Sequence, residues 1–229
     1  MNDYADASVL RTGSGTDLTV RQAGSGDPVL LLHGSGGPDT VSLLLTHFGA
    51  DHRVLAPIHP GWAGTPLPGQ PGGVAGLAAT YLDLLESQGL TGVTVAGVSF
   101  GGWVAAEMAA ADQSHRVGRL VLIDSLGPRI PGHHIATPAT LPPASLTALQ
   151  AYTGGVYDDP TLLDRLQPLT TPTLLVWGEN DPAINVDFGR RYAAALPGAR
   201  FEVIPGAGHV PMRDAPEATF AVLDGFLKG

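Results

Sequence analysis

The sequence has no cysteine in 229 residues, so it offers no disulfide framework, no thiol nucleophile and no thiolate metal site. Charge is scarce as well. Only 14% of residues are charged, and 21 acidic residues outnumber 12 basic ones for a net charge of −9. Without a Lys/Arg cluster there is no footprint for nucleic acid or an anionic membrane. No apolar run approaches the roughly 18 residues needed to span a bilayer. The first six residues, Met-Asn-Asp-Tyr-Ala-Asp, are acidic where a secretory signal is basic, and no apolar segment follows. A soluble, cytoplasmic protein is the expectation.

Hydrophobic residues (44%), glycine (31) and proline (20) are plentiful instead. A chain of this length and apolar content can bury a sizeable core, which excludes a disordered protein. The glycines follow no period and sit between apolar runs, as tight turns do. One domain over residues 1–229 is expected.

Short apolar runs recur at Val29–Leu32, Arg53–Ala56, Val93–Ala96, Leu120–Ile123, Thr173–Trp177 and Phe201–Ile204. Runs of this length suit strands buried on both faces, with Leu18–Ala23 added as an edge strand. Helical spacing marks Gly76–Ser87, stopped by Gly89, and Gly101–Ala111, Asp187–Leu196 and Pro216–Leu227 follow suit. Strands alternating with helices imply an α/β fold, a mainly parallel central sheet with helices on both faces. Ligands of such sheets gather beyond the carboxyl ends of the strands.

Ser99 lies in Gly97-Val98-Ser99-Phe100-Gly101, between a strand run and a helix of small residues. A sharp strand-to-helix turn pushes the serine outward, and the flanking glycines remove Cβ atoms that would clash. A serine hydroxyl needs a base, and the base needs an orienting acid. His209, in the glycine loop after the last strand, is the base expected. Asp181, after the strand Thr173–Trp177, is the preferred acid; Asp124, ending Leu120–Ile123, is its rival, and Glu179 stands behind both as a turn cap. His33 heads a glycine-rich loop, so the backbone amides of Ser35 and Phe100 are the expected oxyanion donors. The loop lacks the spacing and lysine of a phosphate-binding loop. His133 and His134 are adjacent, without a further ligand at metal spacing, and are expected to be solvent or cap residues.

These residues resemble the α/β-hydrolase superfamily. The resemblance rests on His33-Gly34-Ser35-Gly36, His59-Pro60-Gly61-Trp62-Ala63-Gly64-Thr65, Gly97-Val98-Ser99-Phe100-Gly101-Gly102, Trp177-Gly178-Glu179-Asn180-Asp181 and Gly206-Ala207-Gly208-His209. Their order is serine, acid, histidine, and they span nearly the whole chain. The resemblance implies a Ser99–His209–Asp181 triad and leaves the substrate open. Serine at the elbow disfavours the dehalogenase and epoxide-hydrolase chemistries, which use aspartate there. The family inserts its cap between Leu120–Ile123 and Thr173–Trp177. Here that segment is short, about 125–171, with helices expected near Ala144–Tyr152 and Pro160–Leu166. Pro128, Pro131, Pro138, Pro142, Pro143, Pro160, Pro168 and Pro172 stiffen it, and an open mouth should result. His59 stands where many relatives place aspartate, a departure to which the sequence attaches no function.

The reading that follows is a hydrolase of a small carboxylic ester, acting on a small-molecule substrate with no metal and no organic cofactor. Trp62 and Trp103 are candidate pocket walls. Two rivals stand beside it. One is a C–C bond hydrolase of a ketone acid, for which Arg129 or Arg165 would hold the carboxylate. The other is a hydrolase-fold ligand-binding protein with negligible turnover. Nothing in the sequence specifies an oligomeric state.

Overall fold

A computed structural model describes residues 7–136 and 140–228. The acidic N-terminal hexapeptide and Pro138 lie outside the described residues. The strands are β1 (Ser8–Arg11), β2 (Asp17–Ala23), β3 (Pro28–Leu32), β4 (Arg53–Pro57), β5 (Val93–Val98), β6 (Val117–Ile123), β7 (Gly127–Pro128), β8 (Asp158–Asp159), β9 (Thr173–Gly178) and β10 (Arg200–Ile204). The helices are α1 (Ser42–Phe48), α2 (Gly73–Ser87), α3 (Phe100–Ala111), α4 (Pro143–Thr153), α5 (Leu162–Leu166), α6 (Val186–Ala194), α7 (Pro211–Asp214) and α8 (Pro216–Leu227). Eight strands form one sheet in the order β1-β2-β4-β3-β5-β6-β9-β10. From β4 to β10 every pairing is parallel; β1 and β2 run antiparallel at one margin.

Two departures from the sequence reading concern that margin and the first helix. β2 is not the edge: it pairs with β4 on one side and β1 on the other. The outermost strand is four residues long and mostly exposed, too short and too polar to announce itself by alternation. α1 follows a 3₁₀ turn over Pro38–Val41, and its seven residues give too few turns for a helical period.

The continuous apolar runs sort their side chains by parity. Val29 and Leu31 of β3 join a core layer with α1 and α8, whereas Leu30 and Leu32 join the layer with α2, α3 and α6. Strand side chains alternate across the sheet, so only a run apolar at every position serves both layers. All four are 0% exposed, and burying each contributes about 1.5–3 kcal/mol.

Between β6 and β9 the chain leaves the sheet to form β7, α4, β8 and α5. Both helices fall where the sequence places them. The segment is tied down at three places: Gly127 pairs with Asp158 in β7–β8, the Tyr152 hydroxyl donates to Pro60 O at 3.1 Å, and Arg165 bridges to α3. Arg165 donates to both oxygens of Glu107, at 2.5 and 2.8 Å, and to Asp159 at 2.5 Å. The Glu107 side chain is 4% exposed against 38% for Arg165. Arg165→Met therefore strands a buried carboxylate. It should cost about 2–3 kcal/mol, short of the fully buried range because Arg165 is partly wet. The double variant with Glu107→Gln should recover most of that loss, as read by urea unfolding midpoints.

Candidate active site

Ser99 is the turn between β5 and α3, with φ 53 and ψ −115. That backbone is strained for a residue with a Cβ. It is held from both sides: Ser99 N donates to Ile123 O at 2.9 Å, and Ser99 O accepts from Gly102, Trp103 and Leu126. The flanking glycines serve closeness. A Cβ on Gly97 would stand 2.1 Å from Gly101 O, and one on Gly101 would stand 2.1 Å from Leu32 O.

His209 follows β10 in a loop fastened to the turn after β9. Asn180 N donates to Ala207 O at 2.8 Å, and Glu179 accepts from Gly206 N at 2.8 Å. Glu179 is the turn cap expected of it. His209 Nε2 lies 3.0 Å from Ser99 Oγ, and His209 Nδ1 lies 2.8 Å from Asp181 Oδ2. The other Asp181 oxygen accepts from Ala183 N at 2.7 Å and Ile184 N at 3.0 Å. With Asp181 as the acceptor on one side of the ring and the serine hydroxyl on the other, Nδ1 carries the imidazole proton and Nε2 presents its lone pair to Ser99. The structure thus joins Ser99, His209 and Asp181 in one hydrogen-bonded chain. Asp124 is left behind it, on Gly178 N at 2.9 Å.

The loop after β3 lies over Ser99: a Cβ on Gly34 would be 3.3 Å from the Ser99 Cβ. Three of its carbonyls are turned to the protein. Gly34 O accepts from Gly37 N at 2.9 Å and from His33 Nδ1 at 2.8 Å; Ser35 O accepts from the Trp62 indole at 2.8 Å; Gly37 O accepts from Thr40. In a trans peptide the N–H points away from the carbonyl of the same plane, so pinning Gly34 O aims the Ser35 N–H the other way. Among the described residues, neither Ser35 N nor Phe100 N donates to a protein acceptor in the loop and cap bonds.

Three buried residues missed as a group stand behind this loop. His59 N donates to His33 Nε2 at 2.9 Å, so His33 must carry its proton on Nδ1, where it donates to Gly34 O. His59 Nε2 donates to His33 O at 2.9 Å, so its Nδ1 accepts from the Tyr81 hydroxyl of α2. His59, a residue without a sequence-based role, is thereby the brace between β4, the glycine loop and α2. No spacing rule could have found it, because its partners are 26 and 22 residues away in opposite directions.

Both rings are neutral. Burial holds His33 down to about 4 and His59 well below the ordinary value. In the unfolded chain each takes up a proton below about pH 6.5, so stability present above that pH is lost as pH falls toward 4. Asp124 has the opposite sign: burial, then the neighbouring Asp181 charge, push it up to about 10, so the folded chain retains a proton there. Two protons gained on unfolding against one released leave one net. The unfolding free energy should drop by up to about 1.4 kcal/mol per pH unit between pH 6.5 and 4.5. Urea titrations at those pH values check it, and a stability that rises toward acid would contradict neutral rings.

Trp62 is 1% exposed, stacked on Phe100 and Tyr152 with its indole on Ser35 O. It backs the loop and does not form an open wall. Phe100 is fully buried. Trp103 donates to Glu107 and borders a cleft of about 470 Å³ between α2, α3 and the segment before β9, together with Val74, Tyr152 and Arg165. Neither Ser99 nor His209 lines that cleft. Ser99 is 6% exposed, and the His209 side chain is 28% exposed. Arg129 pairs through Nε with Asp158 at 2.7 Å and is 54% exposed, whereas Arg165 is held by two carboxylates and is not free for a substrate carboxylate. His133 bonds Asp187 at 3.1 Å and packs edge-on against Phe188.

A family model described as the alpha/beta hydrolase family matches residues 29–158 and 144–222. An uncharacterised protein of Mycobacterium tuberculosis is 26% identical over 274 residues, covering 95% of this chain and 80% of that one. The 2-hydroxy-6-oxo-2,4-heptadienoate hydrolase of Pseudomonas putida is 31% identical over 131 residues, 55% of this chain and 47% of that one. Among solved structures, an esterase from Exiguobacterium antarcticum superimposes with a TM-score of 0.81 at 19% identity, covering 97% of this chain and 99% of that one. Among the described residues no helix is long and apolar enough to cross a membrane.

Proposed function

The chain belongs to the alpha/beta hydrolase family, and from that premise we propose that it cleaves a small carboxylic ester through an acyl-enzyme on Ser99. The observation that carries the reading is the chain of hydrogen bonds from Ser99 Oγ through His209 to Asp181, at 3.0 and 2.8 Å. Ser99 Oγ attacks the carbonyl carbon while its proton passes to His209 Nε2. Asp181 keeps the imidazole in the tautomer that can accept, and it stabilises the imidazolium that forms. The negative oxygen is met by the Ser35 and Phe100 N–H groups, aimed before the reaction and needing no reorganisation during it. The imidazolium then protonates the departing alcohol, and the neutral ring activates a water that releases the acid.

C–C hydrolysis of a ketone acid is favoured by the Pseudomonas putida relative and disfavoured at Arg165, which Glu107 and Asp159 occupy. Parallel assays separate the readings. Short-chain 4-nitrophenyl esters should be turned over, and a dienone acid should not. A fluorophosphonate probe should label the wild type covalently at Ser99. Turnover of the dienone acid alone would replace the ester reading. An unlabelled serine, with ligand-induced thermal shifts and no turnover, would replace it with a binding protein.

A further inference from the structure

Asp124 is buried, directly follows β6 at φ 42, and takes no part in the Ser99–His209–Asp181 chain. Its Oδ1 accepts from Gly178 N, whereas Oδ2 is buried without a hydrogen-bond partner among the described residues. An orphaned buried carboxylate oxygen is costly and calls for an explanation. A carboxylate oxygen of Asp124, one of Asp181 and a ring nitrogen of His209 all lie within 4.8 Å of one another. Two carboxylates so close in a buried site do not both ionise. Donors decide which keeps the charge: Asp181 receives three and Asp124 one.

We propose that Asp124 is a positioning acid behind Asp181: neutral in the resting protein, and able to assume the negative charge beside His209 once Asp181 is neutralised. The inference rests on the serine-hydrolase reading above. A proton on Oδ2 turns the orphan oxygen into a donor, with the Asp181 carboxylate as its neighbouring acceptor, and the pair then carries a single charge. Burial and the Asp181 charge favour that protonated form. The titratable groups facing Asp124 are Asp181 after β9, His209 after β10 and Asp214 at the end of α7. All of those acids oppose its ionisation, so removing the Asp181 charge lowers the barrier to losing the proton, which goes to solvent.

A double-mutant cycle on ester hydrolysis tests this, with folding of each variant checked by its unfolding midpoint. Replacing a triad acid by its amide costs about 10⁴ in kcat where nothing takes its place. Asp181→Asn should here cost only about 10² in kcat/KM, because Asp124 supplies the charge. Asp124→Asn should cost under about tenfold alone and a further ~100-fold on the Asp181→Asn background. The residual activity of Asp181→Asn should also gain a climb with pH that the wild type lacks, and the double variant should lose that climb. This second readout needs no change at Asp124. Equal factors for Asp124→Asn in both backgrounds, or a pH profile of Asp181→Asn with no added limb, overturn the proposal. Loss of wild-type labelling at Ser99 would instead overturn the serine-hydrolase reading itself.

Discussion

Ser99→Ala should lower kcat for ester hydrolysis by about 10⁶ and abolish fluorophosphonate labelling, while leaving the unfolding midpoint almost unchanged. The size of the loss follows from the geometry. Without Oγ, His209 Nε2 has no proton to accept at 3.0 Å, and the Ser35 and Phe100 amides have no covalent intermediate to stabilise. What survives is the rate of water attack helped by those two donors. The small stability effect follows as well: the backbone bonds that hold the turn come from Ser99 N and Ser99 O, and alanine keeps both. A variant that hydrolyses esters within tenfold of the wild type would remove Ser99 from the mechanism.

The second large effect is structural. Gly97→Ala and Gly101→Ala should each lower the unfolding free energy by about 4 kcal/mol or more, beyond ordinary overpacking. The new Cβ at Gly97 would meet Gly101 O at 2.1 Å and Gly102 N at 2.6 Å; at Gly101 it would meet Leu32 O at 2.1 Å and His33 O at 2.5 Å. Every atom met is backbone, so no side chain can swing aside, and α3 must lift off β3 and β5. Gly89→Ala is the control. Its Cβ would meet nothing within 4 Å, and only the φ of 63 is unfavourable, so about 1 kcal/mol is expected. Guanidinium unfolding of the three variants measures the contrast.

Those two glycines also explain how much of the site is legible in the sequence. The elbow is a local event, strand, serine and helix all within Val93 to Ala111, and its requirements are written beside the serine. The choice between Asp181 and Asp124 was less accessible. Both end strands, and the decision lies in which carboxylate gains the Ala183 and Ile184 amides on its free oxygen. His59 was visible only as a departure without meaning, since its function is a set of contacts with β3 and α2. Arg165 was legible as a cation and misread as available, because Glu107, 58 residues earlier, occupies it. Short continuous apolar runs mark the central strands of the sheet, whereas β1 and α1 are too short for any period to register.

The pairing of β6 with β9 has a consequence for exchanging substrate preference between relatives. Leu120 to Ile123 pair directly with Thr173 to Val176, so the intervening segment enters and leaves through anchors that do not depend on its content. Doubling its length would add only about 0.6 kcal/mol of closure entropy. A transplanted segment is therefore limited less by how long it is than by one charge it must bring. Glu107 stays behind on α3, and any graft that lacks a cation in the place of Arg165 inherits a buried charge with no counter-ion, the Trp103 indole its remaining donor.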